Sequence, residues 1–168
     1  MKGEKGALFL SSLLFMAILV LMQNSLYGAT TLKTQTKIRA SEFTLYDLQG
    51  NQVKLSDFKN RPVILFFWTT WCPFCREKFP VLAREYPNMR AKNIELLAIN
   101  TGEPKYRIES FLEGKDIRFS ILLDGDSEVA YKYNLIGIPT FVLIDAEGLI
   151  QFSGNEFPSD YSRILNLE

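Results

Sequence analysis

Histidine is absent from this chain of 168 residues. That excludes Cys-His proteases, Ser-His hydrolases and any metal site built on imidazole. Cysteine is scarce, with only Cys72 and Cys75. One such pair cannot form the disulfide framework of a small secreted scaffold. A four-ligand zinc site would have to be shared across a dimer, so neither a metal nor another cofactor is expected. A surplus of either charge is also missing, with 19 basic and 19 acidic residues. Removing residues 1–28 leaves the balance within one charge of neutral, and nothing points to nucleic acid as a partner. Internal repeats and low-complexity tracts are absent as well. What is present is ordinary for a globular protein, 47% apolar and 23% charged, and long enough for one domain with a true core.

The chain divides unevenly. Lys2 and Lys5 precede an apolar run from Ala7 to Met22, broken only by Ser11 and Ser12. The run is long for a signal-peptide core and slightly short for a membrane span. Around Ser25-Leu26-Tyr27-Gly28-Ala29 no clean small-x-small cleavage pattern stands out. Residues 1–28 therefore read as a cleaved signal or an uncleaved membrane anchor. In either case the positive charge ahead of the run keeps the N-terminus inside and sends the remainder out of the cytoplasm. Residues 29–40, polar and rich in Thr and Lys, read as a linker. Residues 41–168 form the domain.

Within the domain, Val63 to Trp68 is an apolar, aromatic run bounded by Asn60-Arg61-Pro62. It reads as a strand buried on both faces. Trp71-Cys72-Pro73-Phe74-Cys75 follows, and then Phe79, Leu82, Ala83 and Tyr86 fall at helical spacing. A Cys-x-x-Cys thus stands where a buried strand hands over to a helix. Cys72 falls at the helix N-terminus, where free N–H groups and the macrodipole favour negative charge. A thiolate is stabilised there, and the thiolate is the nucleophile. A structural disulfide would close so short a loop that it would add little stability.

The flanking pattern alternates strand and helix. Residues 43–46 and 52–55 flank a Gln49-Gly50-Asn51 turn as a hairpin, and Ser56 is placed to cap a short turn after it. Residues 94–100 read as a second buried strand. Glu103 or Pro104 to Glu113 reads as a helix stopped by Gly114, and 119–122 as a strand. Ser127 is positioned to cap a helix over 128–133. Residues 140–144 and 149–153 read as a closing hairpin, and 159–167 as a last helix. The expected class is α/β: a central mixed sheet flanked by helices, with an N-terminal β-hairpin.

Three pieces in this order resemble the thioredoxin-like superfamily, and within it the exported or membrane-anchored TlpA/ResA-like redoxins. They are Phe43 to Gly50, Phe67 to Cys75, and Gly137-Ile138-Pro139-Thr140 running on to Asp145. The resemblance spans Ser41 to about Gly154. It implies a thioredoxin-like fold and thiol-disulfide exchange, with Cys72 and Cys75 as the catalytic redox-active pair. It also implies that Pro139 is cis and faces the cysteines, and that Trp71, Pro73, Phe74, Ile138 and Pro139 shape the substrate site. Implied partners are client proteins carrying cysteines or disulfides and a membrane thiol-disulfide electron donor. The expected location is the periplasm or the outer face of the cytoplasmic membrane.

Several positions depart from that pattern. Phe66 occupies the place of thioredoxin's buried acid. Lys78 stands three past the second cysteine, where ResA-like proteins carry an acid, and Glu77 is one residue early. The proton acceptor for Cys75 is therefore unassigned: Glu77 is one candidate, against the plainer reading of a solvated surface residue. Gly137-Ile138 lacks the glutamate of the cytochrome c maturation branch. Two rival functions follow from the same residues. Thr69-x-x-Cys72 superficially fits a peroxiredoxin-like peroxidase, though Leu65 stands where its proline belongs. A non-catalytic, membrane-tethered thioredoxin-fold binding module would not need Cys72, Cys75 and Pro139 together.

Overall fold

The computed structural model describes residues 38–167. The expectations for residues 1–28, and for the linker up to residue 37, lie outside that range. Among the described residues, no helix is long and apolar enough to cross a membrane.

The centre is β3, Val63–Trp68, with all six residues buried. Its alternation serves two layers at once. Ile64, Phe66 and Trp68 enter one core cluster, while Val63, Leu65 and Phe67 enter the other. Phe66 stacks on Phe141 with ring centroids 4.8 Å apart and meets Phe79 edge-on at 5.7 Å. An apolar ring is thus packed where an acid would otherwise need a partner.

Around β3 the sheet has seven strands. These are β1 (Thr44–Asp47), β2 (Gln52–Lys54), β4 (Glu95–Thr101), β5 (Ser120–Asp124), β6 (Thr140–Ile144) and β7 (Ile150–Gly154), in the order β2-β1-β5-β4-β3-β6-β7. β3, β4 and β5 run parallel. β6 and β7 add antiparallel on one side, β1 and β2 on the other. Ile38 to Ala40 bridges to the far edge, with the Ile150 N–H donating to the Ile38 carbonyl at 2.8 Å.

Helix α1 spans Pro73–Ala91, longer than its apolar spacing indicated, and contains Pro80 and Pro87. An internal proline removes a backbone hydrogen bond and costs about 3 kcal/mol. The helix persists because Phe79, Leu82 and Met89 are buried against the sheet. The shorter helices are α2 (Lys105–Leu112), α3 (Glu128–Lys132) and α4 (Tyr161–Ile164). Pro104 is the N-cap of α2, not its first turn, and α4 is half the length its sequence suggested.

Two caps fall on residues other than those expected. Ser56 caps nothing; instead Asp57 accepts the Lys54 N–H at 2.8 Å ahead of the 3-10 turn Leu55–Phe58. Ser127 has a left-handed backbone (φ 63°) and makes no side-chain cap. The buried Asp124 carboxylate reaches across and accepts from the Val129 N–H at 3.1 Å and the Ala130 N–H at 2.9 Å. A carboxylate with two backbone donors is stronger than one hydroxyl cap. Asp124→Ala should therefore cost about 2 kcal/mol, and Ser127→Ala less than about 0.5 kcal/mol, in urea unfolding. The reverse ranking would refute this assignment of the cap.

Candidate active site

The parallel strands β3 and β4 end at the same edge, and the segments leaving them meet. Cys72 is the N-cap of α1 and Pro73 its first residue, where a missing N–H costs nothing. Cys75 then stands one turn along. Its backbone N–H donates to Cys72 Sγ at 3.2 Å. Both cysteines are free thiols, and both are buried. Burial, together with the hydrogen bond to Cys72, pushes the Cys75 thiol up to about 12.

The second wall comes from the loop before β6. The Ile138–Pro139 peptide bond is cis, and the Cys72 thiol points at the Ile138 carbonyl, 3.9 Å away. This loop is fixed from behind. Thr140 Oγ1 donates to the Gly137 carbonyl at 2.6 Å, and Asn155 Nδ2 to the Pro139 carbonyl at 2.7 Å. Cys72, Cys75, Ile138 and Pro139 are thus brought together. Trp71 and Phe74 flank them with 66% and 67% of their surface exposed, so neither is a core residue. An open cleft of about 370 Å³ runs from Thr69 and Trp71 past Ile138 to Tyr131 and Ile136.

No carboxylate contacts Cys75 from α1. Glu77 is exposed, and Lys78 is ion-paired with Glu156. The carboxylate that touches the cysteine loop comes from elsewhere. Glu103, only 5% exposed, accepts from the Thr70 N–H and the Thr70 hydroxyl, each at 2.6 Å, and from Asn100 Nδ2 at 2.8 Å. It holds the loop two residues ahead of Cys72. Its place in the sequence marks Glu103 only as a helix start. Its signal was Asn100, a polar residue at the end of a buried strand paired with Trp68. Tyr131 and Ile136, on the outer wall of the cleft, went unnoticed because their pattern is that of ordinary surface residues.

A comparison with known families matches residues 37–153 to the AhpC/TSA family. The chain belongs to this family. Within it, the chain is 30% identical over 150 residues to the thiol-disulfide oxidoreductase ResA of Bacillus subtilis, covering 88% of this chain and 84% of that protein. It is 37% identical over 128 residues to ResA of Geobacillus kaustophilus, covering 75% and 74%. Among solved structures, a putative thiol:disulfide interchange protein DsbE from Chlorobium tepidum superposes with a TM-score of 0.69 at 29% identity, covering 78% of this chain and 93% of that one. This AhpC/TSA member is therefore a ResA-like thiol-disulfide oxidoreductase with a thioredoxin-like fold. The peroxidase and binding-module readings find no support among these relatives.

The two thiols of this redoxin should react unequally. Burial and the contact with Cys72 keep the Cys75 thiol protonated well above the usual thiol range, so little of it is thiolate at pH 8. Iodoacetamide at pH 8, followed by mass spectrometry of the reduced native protein, should label Cys72 at least about a hundredfold faster. Equal labelling would contradict the asymmetry.

Proposed function

We propose that the domain reduces disulfides of exported client proteins through Cys72. The sulfur of Cys72 attacks one sulfur of the client disulfide, forming a mixed disulfide and releasing the other client sulfur as a thiolate. That thiolate takes up a proton from solvent. Cys75, losing its proton as it reacts, then attacks Cys72 Sγ, which releases the client's second thiol. Two electrons pass to the client, and Cys72–Cys75 becomes a disulfide. A membrane thiol-disulfide carrier returns the electrons and restores the dithiol.

The observation that carries this reading is the placement of Cys72 Sγ. It accepts a backbone N–H at the start of a helix and faces the cis Ile138–Pro139 segment. Ile138 offers main-chain groups to an extended client segment by strand pairing. Pro139 and Pro73 shape the groove, and Trp71 and Phe74 supply apolar contact. Residues 1–28 act as a cleaved signal or a membrane anchor and 29–40 as the tether, holding the domain 41–168 outside the cytoplasm. Disulfides persist in that compartment. One structural neighbour, from Mycobacterium tuberculosis, is described as a secreted disulfide oxidoreductase.

Trapping tests the assignment of roles. Cys75→Ser should accumulate mixed disulfides with clients, visible on non-reducing gels, because the resolving thiol is gone. Cys72→Ser should accumulate none and lose insulin reduction. Equal trapping by both variants would reverse or remove the roles given to the two cysteines.

A further inference from the structure

A second cleft opens on the other side of the cysteine loop. It measures about 390 Å³ and is lined by Thr70, Arg76, Tyr106, Arg107, Ser110 and Phe111. Thr70 lines this cleft and Thr69 and Trp71 line the groove at Ile138, so both clefts adjoin the loop that leads into Cys72. The two guanidiniums of the Thr70 cleft are uncommitted. Arg61, Arg90, Arg118 and Arg163 are each bound to a carboxylate, and Arg39 to the Glu147 carbonyl; Arg84 on α1, outside this cleft, makes no such ion pair among the described residues. Arg76 instead lies over the Phe111 ring at 5.5 Å, and Arg107 contacts only the neighbouring Tyr106 hydroxyl at 3.4 Å.

Helix stability does not explain these cations. Arg76 and Arg107 fall near the N-termini of α1 and α2, where positive charge opposes the macrodipole. Neither helix has an acidic residue in its first turn to offset them. The carboxylate that bears on Arg107 is Glu103, and its oxygens are already taken by Thr70 and Asn100. Tyr106 adds an aromatic face with 65% of its surface exposed. A chain with no net charge thus places positive charge without a carboxylate partner, and aromatic surface, in a cleft that adjoins the cysteine loop at Thr70.

We infer that this cleft docks an acidic segment adjoining the client's disulfide, with Arg76 and Arg107 binding its carboxylates. This rests on the disulfide-reducing reading above and adds a preference among clients. Guanidinium forks suit carboxylates geometrically, and charge complementarity of this kind acts mainly on encounter and specificity.

The test uses the full chain and two synthetic peptides, each with a Cys-x-x-Cys disulfide. One is flanked by glutamates, the other by glutamines at the same positions. Fluorescence anisotropy of dye-labelled versions with serine in place of cysteine reads docking without thiol chemistry. The acidic peptide should bind about tenfold tighter at low salt, and the gap should narrow as ionic strength rises. In R76Q/R107Q the ratio should fall to about one, and the ratio of reduction rates for the disulfide forms should fall with it. Equal binding of the two peptides, or a preference that survives in R76Q/R107Q, would overturn the inference. If neither disulfide is reduced while the arginine-dependent preference remains, the reducing reading fails and the docking surface stands.

Discussion

The hydrogen bond from the Cys75 N–H to Cys72 Sγ at 3.2 Å is the contact on which the site depends. It exists only if α1 begins at Cys72, because only then is Cys75 at the third helical position and its N–H free of an intrahelical partner. That start is set from both sides. The buried strand β3 ends at Trp68, and Pro73 fits the first helical position and no later one without loss. The same geometry makes the thiols unlike. One sulfur is a helix cap facing the cis-proline loop. The other is buried in the core beneath it, where burial holds it protonated. Chemically equivalent residues thus acquire different surroundings from position alone.

The surroundings of this bond concentrate features that a core optimised for stability would avoid. Trp68 Nε1, Thr69 Oγ1 and Asn100 Oδ1 are buried without a hydrogen-bond partner, and all lie where β3 and β4 end. Each such atom costs about 1–3 kcal/mol. Trp71, Phe74, Tyr131 and Ile136 are large and exposed around the same thiols. An exposed apolar rim suits the client contact proposed above. The opposite end of the sheet is satisfied conventionally, with Glu95 paired to both Arg61 and Arg90. Violations of packing and pairing gathered at one edge are what a functional site imposes on a stable scaffold.

Much of this was legible in the chain because it is local. The uninterrupted run Val63 to Trp68 could be little else than a buried strand, and Cys-x-x-Cys at its exit fixed the thiols. Gly137-Ile138-Pro139-Thr140 marked the opposing loop through its likeness to thioredoxin-like proteins. What escaped depends on contacts between distant residues. Asp124 displaced Ser127 as the cap of α3 because the end of β5 delivers a carboxylate to that helix, which spacing alone cannot reveal. Glu103 reaches Thr70, 33 residues away, only because the parallel strands β3 and β4 end side by side. Helix α1 runs past Pro80 and Pro87 because tertiary burial outweighs local propensity.

The proposed reducing role turns on how little stabilises a Cys72 thiolate beyond the helix start. Histidine is absent, and the Arg76 guanidinium turns to Phe111. Strong oxidants of this chemistry owe their potential to a stabilised reduced form. Here the Cys75 N–H is the donor that the described residues give the Cys72 sulfur, while Arg76 lies over Phe111 and Arg107 beside Tyr106, so the dithiol should donate electrons readily. The most direct measurement is the reduction potential of Cys72–Cys75 in the full chain, equilibrated against thiol-disulfide buffers at pH 7. The account predicts a value nearer about −270 mV than about −120 mV, an interval of about 7 kcal/mol for two electrons. A potential above about −150 mV would place the protein among the oxidants and contradict the proposed direction of electron flow.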